Sequence, residues 1–297
     1  MAKADVIEAP RDWTLLNEFW QDFRQSRGAV IGLSLVLFFV LVAILAPYIS
    51  PYNPAQIFGD ATRVPPFWSE NGSARFLLGT DDLGRDLLSR LIYGARVSMG
   101  VGALAVTMSV TIGTFLGLLA GYHGGWIDQT IMRGVDIMMS LPSILLAIVV
   151  VAVLGPGLFN AIIAVSIVSI PSFVRLVRGS AMTERPKQYV LASKSFGASH
   201  TRQMMINILP NCMAPIIVQG SLGFSDAILN AAALGFLGIG AQPPTPEWGT
   251  MLSDSRPFIE SAPYLVTLPG LCILIVVLAF NLFGDGLRDA LDPRLKQ

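Results

Sequence analysis

The 297-residue chain is 53% apolar and only 13% charged, with a mean hydropathy of +0.61. A water-soluble domain carries about a quarter charged residues, so a freely soluble globular protein is excluded. Twenty basic residues balance twenty acidic ones, which leaves no basic field for nucleic acid, and Cys212 and Cys272 are too few and too far apart for a metal site.

Residues 1–28 mix five acids with four bases, and no small-x-small cleavage pattern follows, so a cleavable signal is not expected. Trp13, Leu16, Phe19, Trp20 and Phe23 recur at helical spacing among polar residues, predicting a short amphipathic helix in the headgroup layer. The apolar run 29–46 approaches the roughly 20 residues that cross a bilayer, and the first transmembrane helix is expected over 29–49. An external loop over 50–94 follows. Five further spans are predicted over 97–121, 137–154, 158–174, 214–240 and 264–283, with a tail over 287–297. The expected fold is thus all-α, with six transmembrane helices and an N-terminal interfacial helix. Pro142, Pro171 and Pro269 fall within or at the ends of spans, where neighbouring helices can satisfy the freed carbonyls.

Glycines at 113, 117 and 121 form a flat stripe for close helix packing, within the subunit or against a partner. With both termini placed inside, fourteen of the twenty Lys and Arg residues fall on the cytoplasmic side, which sets the predicted orientation.

The longest polar stretch on that side is 175–212, with six bases against the single acid Glu184. Residues 189–196 scan as a short helix with Tyr189, Ala192 and Phe196 on one side, and Gly197 can take the left-handed conformation that closes it. A second short helix over 201–209 brings Met204, Met205 and Ile208 together and is expected to stop at Pro210. On the other side, 78–96 reads as a turn capped by Thr80 or Asp81 leading into a helix with an Asp86–Arg90 pair. Asp81, Asp82 and Asp86 are compensated by Arg85 and Arg90, which favours a structural belt over a cation site. Three prolines at 243, 244 and 246 stiffen the loop over 240–254, with Glu247 and Trp248 expected at its tip. In the fifth span Gln219, Gly223, Asp226 and Asn230 share one helix side. An intramembrane carboxylate normally faces a cavity or a partner, so Gln219, Asp226 and Asn230 are candidates for a translocation path.

No Gly-x-x-x-x-Gly-Lys-Ser/Thr phosphate loop occurs, so ATP binding is not expected here. His123 and His200 lie far from any paired carboxylates, which argues against a membrane-bound enzyme. An ion-driven carrier would want inverted repeats and intramembrane charge pairs, and the lone Asp226 supplies neither.

The spacing of Ala192, Ser193, Gly197, Leu209 and Pro210 resembles the cytoplasmic docking loop of ABC-transporter permeases. Two departures stand out: Leu191 replaces the glutamate that usually opens the pattern, and Asn207 replaces an isoleucine. The runs 78–96, 240–254 and 281–293 are similar to the peptide and nickel importer branch of that family. The resemblance implies a type I ABC importer permease fold, with the ABC transmembrane type-1 domain over 95–286. It also implies a non-catalytic subunit without cofactor, in the inner membrane of a bacterium. Its partners would be a homologous permease subunit, two ATPase subunits gripped through the loop, and a periplasmic peptide-binding protein. The implied cargo is dipeptides, with oligopeptides or nickel complexes as alternatives.

Overall fold

The computed structural model describes residues 12–291, and among these every named element is a helix. Two isolated bridges, Ile57 to Arg85 and Thr80 to Asp86, tie the long loop 50–86 together. Five helices are long and apolar enough to cross a membrane, and a bent helix pair makes six.

α1 (Asp12–Gln25) meets α2 (Arg27–Ile49) at Ser26, whose hydroxyl accepts from the Ala29 amide. Part of the expected interfacial helix is therefore packed: Phe23 is buried with Ala29, Leu287 and Ala290, while Trp20 stays exposed. The remainder of the expected N-terminal segment and tail, residues 1–11 and 292–297, lies outside the described residues. α2 exposes Ile31, Leu37, Phe38, Leu41 and Ile44, an apolar surface that only lipid or another apolar chain can cover.

α3 (Leu87–His123) begins ten residues before the expected span. Arg90 and Arg96 count against a membrane segment but do not break a helix, and Arg90 is neutralised by Asp81 at 3.4 Å. The expected Asp86–Arg90 pair does not form. Asp86 is instead the helix cap, accepting from the Ser89 amide at 2.8 Å and its hydroxyl at 2.6 Å. Asp81 is the hub of the belt, holding Arg85 at 2.6 Å as well as the Leu83 and Arg85 amides. Thr80 is also fully buried, donating to the Ala61 carbonyl.

The predicted span 137–154 is corrected. α4 (Gly125–Met139) and α5 (Ser143–Leu154) are separate helices bent by 96° at 140–142. Pro142 pushes Leu141 out of the helical region. The twelve residues of α5 reach about 18 Å, short of the roughly 30 Å hydrocarbon layer.

α6 (Leu158–Glu184) overruns its predicted end by ten residues. Its polar extension is held against α4: Arg178 makes two bonds to Asp128, at 2.5 and 2.7 Å, and Arg175 reaches Asp136 at 2.6 Å. The glycine stripe of α3 packs on α6, inside the subunit. A Cβ at Gly113 would come within 2.4 Å of Phe173 Cβ, and one at Gly117 within 2.8 Å of the Val174 carbonyl.

A hairpin follows, made of α7 (Gln188–Ser195) and α8 (His200–Arg202). α8 continues through a π segment (Gln203–Ile208) and a 3₁₀ turn (Leu209–Cys212) into α9 (Met213–Phe236). Pro210 therefore does not stop the helix as expected. Its missing N–H and ring clash are absorbed where hydrogen bonding changes register from π to 3₁₀.

α10 (Trp248–Ser255) and α11 (Tyr264–Leu291) complete the bundle, and α11 continues eight residues past the predicted sixth span. Glu247 and Trp248 are not at a loop tip: both are buried. Glu247 caps α10, accepting from the Gly249 and Thr250 amides at 2.9 Å, with the Ser98 hydroxyl at 3.3 Å. Burial nevertheless pushes its carboxyl above the usual range, against the pull of those donors. Trp248 donates to the Leu91 carbonyl at 3.1 Å and fills the space left by Gly94, where a Cβ would lie 2.7 Å from the indole.

Candidate functional site

The hairpin 185–212 is built from its anchors outward. Val190 on α7, then Met204, Ile208 and Cys212, bury against Leu118 and Tyr122 of α3 and Val177 and Ala181 of α6. Met205, expected on the same face, is instead exposed, because the π register turns it outward. Glu184, the single acid of the stretch, closes the base of the hairpin. It accepts from Lys187 Nζ at 2.6 Å and from the Tyr189 hydroxyl at 2.5 Å. Desolvation, reinforced by that bond to Glu184, pushes the Tyr189 phenol up to about 12.

Gly197 closes α7 as expected, at φ +81°. Its amide donates to the Lys194 carbonyl at 2.9 Å and the Ala198 amide to the Ser193 carbonyl at 3.1 Å, the paired bonds of a Schellman motif. Nothing lies within 4 Å of a Cβ placed there, so backbone conformation rather than space demands glycine. Two residues later Ser199 caps α8 by accepting from the Arg202 amide at 3.3 Å. The two arms thus meet at a fixed corner.

Ala192, Ser193 and Gly197 lie together along α7 and its end. Ala192 and Gly197 are exposed and Ser193 is half-buried. Leu209 and Pro210 sit apart from them on the 3₁₀ turn, Leu209 half-buried and Pro210 exposed. The outward side of α7 carries Tyr189, Ala192 and Phe196, as its spacing predicts, and Phe196 is 91% exposed. An aromatic ring left this bare beside a rigid corner is the strongest feature of the hairpin. Its sequence signal was only its place in the helical repeat.

Asn207 occupies a half-buried place in the π segment, and its Nδ2 is buried without a partner among the described residues. A buried unmade hydrogen bond costs about 1–3 kcal/mol. Asn207→Leu is therefore expected to raise stability by about that amount, read as a higher unfolding midpoint of the purified protein. An unchanged or lower midpoint would show that the amide has a partner after all.

On α9 the four residues of the polar stripe share one side but not one environment. Gly223 is buried against the Phe173 ring, whereas Gln219 and Asn230 are half-buried and Asp226 is exposed. Gln219 lines a cavity of about 540 Å³ with Leu176, Asn211, Leu222 and Arg288. Asp226 and Asn230 stand beyond it, toward the middle of α9. Asn230 Nδ2 donates to the Asp226 carbonyl at 2.9 Å, and the Asp226 carboxylate makes no hydrogen bond or ion pair among the described residues.

The same architecture occurs in solved transporters. The inward-facing MetNI methionine ABC transporter superposes on 68% of this chain and 97% of its own, with a TM-score of 0.56 at 19% identity. That likeness concerns the fold alone. In sequence, the dipeptide transport system permease protein DppC of Haemophilus influenzae is 55% identical over the whole of both chains. The Escherichia coli K12 protein of the same description is 60% identical over 98% of this chain and 97% of its own. The glutathione transport system permease protein GsiD of Pectobacterium atrosepticum is 44% identical, over 100% of this chain and 97% of its own. Residues 14–66 match the N-terminal transmembrane domain of oligopeptide transport permease C. Residues 113–297, which include the hairpin and α9, match the binding-protein-dependent transport system inner membrane component. The chain belongs to that family, the multi-pass permeases of ABC importers.

Proposed function

We propose that this chain is one of two membrane-spanning subunits of an ATP-driven dipeptide importer. End-to-end identity of 55–60% with dipeptide permeases carries the cargo assignment. The form of the hairpin and the exposed side of α9 support the remaining parts of the reading. The hairpin docks a separate ATPase through Ala192, Ser193 and Gly197, with Leu209 and Pro210 steadying its second arm. It lies in the cytoplasm with both termini, as the excess of bases around it favours. A homologous permease covers the exposed side of α9, so that Gln219, Asp226 and Asn230 line the path between the two subunits. Two ATPases and a periplasmic peptide-binding protein complete the assembly, and ATP hydrolysis resides in the ATPases. The 44% identity to a glutathione permease makes a tripeptide-like cargo the alternative.

The test is uptake of labelled dipeptide into reconstituted vesicles holding the full assembly, with ATP enclosed and the binding protein outside. ATP-dependent uptake is expected only when permease partner, ATPases and binding protein are all present. Uptake by this chain alone would overturn the reading, and uptake of glutathione but not dipeptides would move the cargo to the alternative. In the same assay Asp226→Asn is expected to reduce uptake while the assembly still forms. If neither uptake nor assembly changes, the path assignment is wrong.

A further inference from the structure

One cavity of the hairpin is used neither by docking nor by the path. It encloses about 510 Å³ between the ends of α3 and α6 and the inner sides of α7 and α8. Every charged or titratable group in its wall is basic or neutral, with Arg185, Lys194, His123 and His200 contributed by four elements and no carboxylate among them. Glu184, next to Arg185 in sequence, is already held by Lys187 and Tyr189. Arg185 and Lys194 have no ion-pair partner among the described residues.

The back wall is fixed. Tyr122, buried, donates to Gln203 Oε1 at 3.0 Å, while Gln203 Nε2 donates to the Ala198 carbonyl at 3.0 Å. With its proton committed, Tyr122 accepts from His200 Nδ1 at 2.8 Å. Two permanent cations, Arg185 and Lys194, face one space and repel each other until an anion joins them.

Depth and shape identify the anion. The apolar run of α3 ends at His123, and Trp126, three residues on, is 76% exposed, as aromatic residues are at headgroup level. The rim is apolar, with Met182 and Leu191 both exposed. On α7 the cavity takes Val190, Leu191 and Lys194, whereas Tyr189, Ala192 and Phe196 point the other way. A basic pocket between helix ends on the cytoplasmic side, behind the docking side, suits a lipid better than an acidic side chain of an ATPase.

We infer that this cavity holds the phosphate of an anionic phospholipid of the inner leaflet, pinning the docking helix to the end of α3. The inference rests on the orientation proposed above. The complete assembly is reconstituted in nanodiscs of phosphatidylcholine with phosphatidylglycerol, then exchanged into detergent, and retained lipid is read by native mass spectrometry. Wild type is expected to keep phosphatidylglycerol in preference to phosphatidylcholine, and soluble glycerol phosphate is expected not to displace it. Arg185→Gln with Lys194→Gln is expected to weaken retention by about thirtyfold, and Arg185→Lys with Lys194→Arg to restore it. Equal retention by the wild type and the neutral pair would overturn the inference. So would displacement by glycerol phosphate, or a neutral pair that keeps its lipid but sheds the ATPases. Dipeptide uptake is scored in parallel. Transport without retained lipid refutes only this inference, and retained lipid without transport refutes only the functional reading.

Discussion

Trp248→Ala is expected to lower stability by about 3–5 kcal/mol, the range for deleting a fully buried aromatic side chain. The indole has no exposed surface, meets the edge of Phe39 at 6.0 Å between ring centres, and donates to Leu91 at 3.1 Å. It sits where α2, α3 and α10 converge, and the surrounding backbone cannot close over the gap. Gly94 already brings α3 against the ring, and Gly249 already brings α10 against α9, with the Ala232 carbonyl 2.3 Å from a Cβ placed there. The variant should therefore unfold at a much lower temperature in detergent and become sensitive to protease in the segment 237–263, which carries α10. Trp248→Phe, which keeps most of the volume but loses the N–H, should fall between. An alanine variant within about 1 kcal/mol of wild type would mean that the site collapses more readily than this packing implies.

Phe196→Ala should act in the opposite way, leaving the isolated chain intact and weakening the assembly. The ring is 91% exposed, so its removal takes almost nothing from the fold. As the central apolar anchor of a docking surface it would be worth about 2 kcal/mol or more, about thirtyfold in affinity for the ATPase. The expected result is an unchanged unfolding midpoint for the permease, with co-purified ATPase and ATP-driven uptake both sharply reduced. Phe196→Leu should recover part of each. An ATPase that binds the alanine variant as tightly as wild type would place the docking contact elsewhere on the hairpin.

Much of this was legible from residues alone, for physical reasons that differ by element. Long apolar runs announce themselves, so α2 and α9 lie close to where hydropathy puts them, and α11 starts where expected though it ends eight residues later. α3 and α6 overran their predicted limits because arginine weighs against a membrane segment, although it is a good helix former once Asp81, Asp128 or Asp136 pairs with it. The bend at 140–142 was hidden because hydropathy averages across Pro142. Gly197 was readable because only a left-handed corner needs glycine in that place. Glu247 and Trp248 were misplaced because a charge among prolines suggests solvent. The carboxylate instead serves the first amides of α10, and three glycines, at 94, 235 and 249, give the segment room to enter the core. Those glycines are scattered over 155 positions of sequence, and their meeting depends on the complete fold. The candidate path was the least legible part. A helix side can be read from spacing, but what covers that side is, in the proposed assembly, another chain.

The continuous run from His200 to Phe236 has a mechanical consequence. Because Pro210 is absorbed by a change of register rather than a break, the helical path runs on from the second arm of the hairpin into the side of α9 that carries Gln219, Asp226 and Asn230. The run behaves as one strut, with no slack joint between them. A torque applied at the corner beside Gly197 is therefore expected to reappear as a turn of those side chains.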